Sequence, residues 1–220
     1  IPRKNIKPFM GKPIMAYSIE AALKSGLFDE VMVSTDDVEF AEVATQYGAS
    51  VPFLRSAATA NDYASTADVL NEVLTRYEER GRWFDTFCCL YSTAPFVTAE
   101  RLKTAYKKLS TEVDACFTMV QYSYPVQRGL HITGNGYVEM THPEHLSTRS
   151  QDLEPIYHDA GQFYFVKTNP FLDVSFLNLY LLNFSNQCPP LTPPYSFFSY
   201  PHLEGPPRIF LFCKIFLFFF

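Results

Sequence analysis

Four basic side chains lie within the first twelve residues of the chain, at Arg3, Lys4, Lys7 and Lys12. They stand directly ahead of a segment that reads as a helix, with Pro13 in its first turn. Basic side chains near the start of a helix bind phosphate oxygens through their charge, and the helix dipole adds to the attraction. A solvated, charged loop would show the same spacing. The cluster therefore indicates a site for a small anion, with the solvated loop as the open alternative.

Two further groups of polar residues follow predicted strands. "STDD" (34–37) leaves the first strand, and Asp36 either faces a ligand or a metal ion or caps the next helix. "LYSTAPFVT" (90–98) leaves the second long strand and places Tyr91 and Ser92 towards a ligand, unless the segment is only a turn. Because ligands of open α/β sheets bind beyond the carboxyl ends of the strands, both segments are candidate parts of a site.

Isolated charged and polar residues give weaker signals. Arg55 follows the apolar run "VPFL" (51–54), where it either binds a ligand or forms an ion pair. His158 and Asp159 precede a strand and either contact a polar substrate or form a structural pair. The sequence contains no nucleophile elbow, no GxGxxG motif and no P-loop. From spacing alone, the sequence predicts an anion site and no particular reaction.

The elements that must position these residues alternate regularly between helix and strand. Predicted helices cover 13–25, 36–47, 65–80 and 98–110, and predicted strands cover 30–35, 86–91, 114–120 and 161–166. This alternation predicts an α/β fold with a mostly parallel sheet covered on both faces. Ser65 and Asp68 have the spacing of a capping box, and Asn135-Gly136 predicts a hairpin within 129–140. We therefore expect an antiparallel arm, at about 122–158, inserted into an α/β domain of residues 1–175.

Composition excludes several classes of protein. The net charge is −5, so the chain is not a general binder of nucleic acid. Its five cysteines form no CxxC pair and no zinc spacing, which is typical of a reducing, cytoplasmic protein. The last apolar run, 209–220, is shorter than the roughly 20 residues of a membrane span. We expect no membrane-spanning segment.

Both ends of the sequence depart from the pattern of the middle. The first residue is Ile, so we expect that a beginning is missing. From about 176 the sequence is rich in Pro, Phe and Leu and has few charges. We expect 176–220 to be a non-native tail, and a tail that lies on a membrane surface is the alternative.

Several motifs resemble those of the acylneuraminate cytidylyltransferases, the enzymes that make CMP-activated nonulosonic acids. They are "IPRKNIKPFMGKPIMAYSIEAAL" (1–23), "VSTDD" (33–37), "LRSAATANDYASTADVL" (54–70), "LYSTAPFVTAERL" (90–102) and "SQDLEPIYHDAGQFYF" (150–165). "STAPFVTAE" and "YHDAGQFY" resemble the branch that acts on pseudaminic acid, whereas the sialic acid branch more often has "QPTSP" and an Asn-Gly pair there. The resemblance implies a Rossmann-like nucleotidyltransferase fold, a three-layer sandwich with an inserted β-hairpin dimerisation arm.

The resemblance also divides the site residues between two substrates, CTP and a nonulosonic acid. Nucleotide binding is implied for Arg3, Lys4, Asn5, Arg55 and Thr66, and Lys4 would also neutralise charge that develops in the reaction. Sugar binding is implied for Tyr91, Ser92, Arg149, His158, Asp159 and Gln162. In the family, the arginine that corresponds to Arg149 reaches the sugar acid across a dimer interface. A homodimer is therefore implied.

The reaction so implied is attack by the anomeric hydroxyl of the sugar acid on the α-phosphate of CTP, with pyrophosphate leaving. The family uses Mg²⁺, usually held by an Asp-x-Asp pair near the C-terminus. This sequence has no such pair after Asp173, which leaves Asp36 as a weak metal candidate. The Gly-rich phosphate loop that normally precedes "IPRKN" is not in the sequence either, so we expect weak or no activity from these 220 residues.

Three alternatives to a pseudaminic acid enzyme stay open. The first is a CMP-sialic acid synthetase. The second is a remnant of this family that binds nucleotide without turning it over. The third is another sugar nucleotidyltransferase, or a glycosyltransferase, of related architecture.

Overall fold

The structure is a computed structural model that describes residues 2–173 and, beyond them, only the backbone of 196–199 and 209–214. Its helices are α1 (Ile14–Ser25), α2 (Val38–Gln46), α3 (Thr66–Glu78), α4 (Ala99–Tyr106) and α5 (Thr168–Asp173). Its strands are β1 (Pro8–Phe9), β2 (Lys12–Pro13), β3 (Glu30–Ser34), β4 (Thr86–Tyr91), β5 (Ala115–Gln121), β6 (Leu130–Ile132), β7 (Val138–Met140), β8 (Tyr157–Lys167), β9 (Ser196–Ser199) and β10 (Ile209–Lys214). Every helix and strand predicted within 13–166 is present, with bounds shifted by a few residues.

The central sheet is mixed rather than fully parallel. Its strand order is β3-β10-β4-β8-β5-β9, and β10 pairs in parallel with both β3 and β4. β8 runs antiparallel to its neighbours β4 and β5. The chain leaves β5 at the carboxyl edge of the sheet, forms the arm, and enters β8 from that same edge, so β8 has to run backwards. β9 also runs antiparallel to β5, so four of the six described strands of this sheet (β3, β10, β4 and β5) share one direction, and the sheet is mostly parallel by strand direction but mixed in its pairing.

Alternating side chains of the strands build two cores on opposite faces of the sheet. Cys88 and Leu90 of β4 belong to a cluster with α1, α2 and α4, whereas Phe87 and Cys89 face a cluster with α3 and α5. A strand that is buried on both faces carries an uninterrupted apolar run. This explains why "FCCL" has no polar alternation. The predicted three-layer arrangement, helices on both faces of a sheet, follows directly.

Local capping sets the ends of the helices. Ser65 and Asp68 form the predicted capping box at the start of α3, since Ser65 Oγ accepts from the Asp68 N–H and Asp68 Oδ2 accepts from the Ser65 N–H. Asp37 is the N-cap of α2, and its carboxylate accepts from the Glu39 N–H at 2.8 Å. Gly26 is the C-cap of α1 and has a φ of 62°, the left-handed conformation that glycine adopts most easily.

The predicted arm is present and projects a two-stranded hairpin. β6 and β7 pair antiparallel through a turn that contains Gly136, whose φ is 84°. Leu130, Ile132 and Val138 expose between 62% and 77% of their surface, so the hairpin has no core of its own. In the part of the chain that the structure describes, no helix is long and apolar enough to cross a membrane.

Most of the segment predicted to be a non-native tail (176–220) lies outside the described residues. The exceptions are the backbones of β9 and β10. The sequence analysis predicts no strand at 209–214, yet the run "IFLFCK" pairs there along both of its edges. A parallel strand with neighbours on both sides carries this kind of continuous apolar sequence.

We expect Ser65→Ala to lower the free energy of unfolding by about 1 kcal/mol, because it removes the side-chain acceptor of the capping box. Urea denaturation would measure the change. Ser65→Thr keeps the hydroxyl and serves as the matched control. A Ser65→Ala variant with the stability of the parent would show that the box contributes nothing to the fold.

Candidate functional site

The basic segment at the start of the chain is fixed to the carboxyl end of β4. Asn5 and Ser92 are both buried, and Ser92 Oγ donates to Asn5 Oδ1 at 2.8 Å. Ser18, which lies in α1, donates from its Oγ to the carbonyl of Tyr91 at 2.9 Å. These two bonds place Lys4 beside the strand ends, where the fold binds its ligands. Asn5 therefore holds this segment in place through a buried hydrogen bond, and nucleotide binding by Asn5 stays a prediction.

The four basic residues of this segment differ in their surroundings, and Lys7 is simply exposed. Arg3 forms an ion pair with Glu39, and its guanidinium lies 5.4 Å from the centre of the Phe40 ring. Lys12 is paired with Glu20. Lys4 is partly buried, and this desolvation lowers the pKa of its amine. A partly desolvated ammonium attracts a phosphate oxygen more strongly than a fully hydrated one, so Lys4 best fits the predicted anion site.

Arg55 lies against the end of β3. Its guanidinium donates to Ser34 Oγ at 3.1 Å and to the Ser34 carbonyl at 2.6 Å. The backbone N–H of Arg55 donates to the Thr35 carbonyl at 2.8 Å. Burial lowers the pKa of Arg55, and the carboxylates of Asp36 and Glu72 oppose that shift. The side chain remains charged at neutral pH, because arginine does not lose its proton in proteins. The structure thus places Arg55 at the strand end, where two carboxylates favour its charge, and ligand binding by Arg55 stays a prediction.

A network of hydroxyl groups joins the predicted nucleotide side to the predicted sugar side. The Tyr91 hydroxyl hydrogen-bonds with the side chains of Thr66 and Tyr164, and burial raises the pKa of Tyr91. Tyr164 in turn donates to Asp159, whose other carboxylate oxygen accepts from the Gly161 N–H at 2.7 Å. Thr66, Tyr91 and Asp159, which are far apart in sequence, are therefore brought together.

Tyr164 is the residue that sequence reasoning missed. It lies in the middle of "GQFYFV", which reads as a plain core strand. The available signal was the alternation of that strand, because Tyr164 pairs with Cys89 in the register of β4 and β8 and so faces the α3 side of the sheet. A tyrosine that is buried in an apolar strand normally has a partner for its hydroxyl.

An irregularity in β8 lies at the predicted sugar side of the site. Phe117 pairs with Tyr164, but Met119 pairs with Asp159, so two steps along β5 correspond to five along β8. Gly161 has a φ of 58° in this bulge. Next to it, Gln162 Oε1 is buried and has no hydrogen-bond partner among the described residues. Such an oxygen is costly to leave unpaired, so a donor from a bound sugar would satisfy it.

Two predicted sugar-binding residues lie at the edge of this network or outside it. His158 is exposed, and its ring lies 4.8 Å from that of Tyr122 at the base of the arm. Arg149 is an exposed residue of the arm and forms a two-pronged ion pair with Asp152, at 2.6 and 3.2 Å. Arg149 is therefore an exposed, ion-paired residue of the arm, and its role in sugar binding across a dimer stays a prediction.

The described residues do not fit a metal ion held by the protein. Asp36 is exposed, and nowhere in the described ranges do three or more metal-ligating side chains gather. The helix-cap alternative for Asp36 is wrong, because the neighbouring Asp37 performs that role. The N-cap is the residue directly before the first helical residue. Since α2 begins at Val38, that residue is Asp37 and not Asp36.

Comparison with known proteins gives a consistent result. A family model described as cytidylyltransferase matches residues 1–186. The pseudaminic acid cytidylyltransferase of Campylobacter jejuni subsp. jejuni serotype O:2 is 43% identical over 178 residues, covering 80% of this chain and 77% of that protein. The N-acylneuraminate cytidylyltransferase of Streptococcus agalactiae serotype V is 28% identical over 176 residues, covering 78% of this chain and 41% of that protein.

A similar fold occurs among solved structures. That of a CMP:2-keto-3-deoxy-manno-octonic acid synthetase complexed with CTP has a TM-score of 0.54 at 18% identity, covering 84% of this chain and 74% of that one. At this identity the likeness concerns the fold. Together with the mixed sheet and its two helical layers, it confirms the predicted Rossmann-like nucleotidyltransferase fold.

We expect the affinity for CTP to fall as the pH rises through the pKa of Lys4, because only the protonated amine attracts phosphate. Since burial lowers that pKa, the loss should begin below the value of about 10.4 for an exposed lysine. Calorimetric titration of CTP across the alkaline range would measure it. Lys4→Arg should keep its affinity there, and Lys7→Arg is the exposed control. A Lys4→Arg variant that loses affinity in parallel with the parent would remove Lys4 from the site.

Proposed function

This chain belongs to the cytidylyltransferase family, and on that premise we propose that it transfers CMP from CTP to pseudaminic acid, with release of pyrophosphate. The observation that carries the proposal is 43% identity to a pseudaminic acid cytidylyltransferase over 80% of this chain. Residues 1–186, which the cytidylyltransferase family model matches, contain both the basic segment and the hydroxyl network. We therefore interpret the anion site, which the spacing of the basic residues predicts, as a site for the triphosphate of CTP.

The transfer forms a bond between the anomeric oxygen of the sugar acid and the α-phosphorus, and it breaks the bond to the β-phosphate. Such a reaction depends on alignment and on offsetting negative charge, so it needs no covalent intermediate. Lys4 would offset charge on the phosphates, while Arg55 and Thr66 would hold the nucleoside from the ends of β3 and α3. Asp159 and Gln162 would orient the sugar acid from β8.

Pseudaminic acid is favoured over sialic acid by two segments of the site. "STAPF" follows β4, and "HDAGQF" lies within β8, where the sialic acid branch more often carries "QPTSP" and Asn-Gly. The N-acylneuraminate enzyme of S. agalactiae is less similar, at 28% identity. Gln162 lies in the second segment, so the difference falls on a side chain with an unsatisfied buried oxygen.

We expect pyrophosphate release with CTP to be at least tenfold faster with pseudaminic acid than with N-acetylneuraminic acid at equal concentrations, even where the absolute rate of these 220 residues is low, because an unpaired buried polar group costs about that factor. Replacement of CTP by UTP or ATP should abolish the release. A coupled pyrophosphate assay gives all four rates. Preference for the sialic acid would support the CMP-sialic acid alternative, and CTP binding without release would support the non-catalytic remnant.

We further propose a homodimer that is formed through the arm. The hairpin exposes Leu130, Ile132 and Val138 and has no core of its own, so a second copy would bury a surface that is otherwise in water. In that assembly Arg149 would reach the sugar acid of the other subunit. A cytoplasmic location and the use of Mg²⁺ stay predictions, the first from the cysteine content of the sequence and the second from the resemblance to the family. The described residues gather no metal-ligating cluster.

We expect Ile132→Asp to convert the dimer into a folded monomer, because the charge would have to enter an apolar contact. Light scattering after gel filtration would measure the mass, and circular dichroism would confirm the fold. His131→Gln, on the other face of the same strand, is the matched control and should stay dimeric. If Ile132→Asp also remains dimeric, the arm is not the interface.

A further inference from the structure

Glu72 of α3 is the centre of a cluster of hydrogen bonds outside the residues named so far as substrate ligands. Its side chain is only 13% exposed. Oε1 accepts from the Ser56 N–H at 2.8 Å, and Oε2 accepts from Ser56 Oγ at 3.0 Å and from Thr59 Oγ1. Arg76, one turn further along the helix, donates to Oε1 at 3.3 Å. Both carboxylate oxygens are thus used.

The segment that Glu72 holds joins two predicted nucleotide ligands. Residues 56–65 run from Arg55 to Thr66 and contain no helix or strand. At the far end, Asn61 Oδ1 accepts from the N–H groups of Tyr63 and Ala64, at 2.9 and 3.0 Å, and the capping box follows. At the near end, the link to α3 is Glu72. A loop of this composition would otherwise have many conformations in water.

The carboxylate of Glu72 also acts on Arg55 directly through its charge. Asp36 and Glu72 are the two acidic groups that favour the charged form of the buried guanidinium. Glu72 is thus linked to Arg55 in two ways. It hydrogen-bonds to Ser56, the next residue in the chain, and its negative charge favours the charged guanidinium. Hydrogen bonds that involve a charged group are roughly twice as strong as neutral ones, so a carboxylate suits this position better than an amide.

We propose that Glu72 is a positioning residue for the nucleotide: it fixes the 56–65 segment and thereby sets Arg55 in the geometry that binds CTP. The inference rests on the proposed function, since it assigns Glu72 to the nucleotide side of the same site. Glu72 acts through Arg55 and Ser56 and does not contact the substrate. A purely structural role, in which Glu72 only stabilises the fold, is the alternative to be separated from it.

The test compares Glu72→Gln with Glu78→Gln, an exposed glutamate on the same helix. We expect Glu72→Gln to raise the dissociation constant for CTP about tenfold, as for the loss of one charge-assisted hydrogen bond. The KM for the sugar acid should stay within about twofold of the parent, within the usual scatter for independent sites. A role confined to the fold would lower the unfolding temperature and leave the CTP affinity of the folded protein unchanged.

A second variant protects the test against poor folding of Glu72→Gln. Ser56→Ala removes only the hydroxyl donor to Oε2, so it should weaken CTP binding several-fold in the same direction. The segment itself can be followed by chymotrypsin cleavage after Tyr63, whose side chain is 97% exposed. Cleavage should be faster in both variants than in the parent and in Glu78→Gln.

The outcomes separate this inference from the proposed function. If the parent binds CTP and Glu72→Gln binds it as tightly, the positioning role is wrong and the function stands. If the parent does not respond to CTP at all, both fail together. Equal weakening of CTP and sugar acid binding in Glu72→Gln would show general damage to the site and would also overturn the inference.

Discussion

The buried hydrogen bond between Asn5 and Ser92 is the constraint on which the site depends. These residues are 87 positions apart, and the bond joins a segment of irregular backbone to the end of a central strand. Removal of one partner from a fully buried pair leaves the other without that bond, which costs about 1–3 kcal/mol. Such a penalty disfavours any arrangement in which Lys4 moves away from the strand ends. This one contact therefore fixes the position of the basic residues that we predict to bind phosphate.

A second constraint joins the two halves of the site. The Tyr91 hydroxyl is shared between Thr66, at the start of α3, and Tyr164, which in turn donates to Asp159. A movement of Thr66 would therefore also affect Asp159, whereas the partners of Glu72, Ser56 and Thr59, lie outside this network. For a reaction that depends mainly on alignment, such coupling is useful, because both substrates are then placed relative to the same rigid strands.

The sequence predicts those features whose causes are local. The capping box at Ser65, the helix end at Gly26 and the hairpin at Gly136 each depend on a few adjacent residues, and all three are confirmed. The reversed direction of β8 and the position of β10 depend on pairing with distant strands, which no short pattern encodes. The same holds for Tyr164 and Glu72, whose types are ordinary for a strand and a helix and whose partners become visible only in the fold.

The charges around Arg55 show how the fold accommodates a partly buried cation at the predicted nucleotide site. Burial disfavours the guanidinium charge, while Asp36 and Glu72 favour it and the end of β3 accepts its hydrogen bonds. Two of the five N–H donors of the guanidinium bond to Ser34, which fixes the orientation of the group at the end of β3. Of the two carboxylates, Glu72 is already engaged by Ser56 and Thr59, whereas Asp36 is exposed. Arg76 offsets the charge of Glu72, and water screens the exposed Asp36, so the two carboxylates would oppose an incoming nucleotide less than two unpaired buried carboxylates.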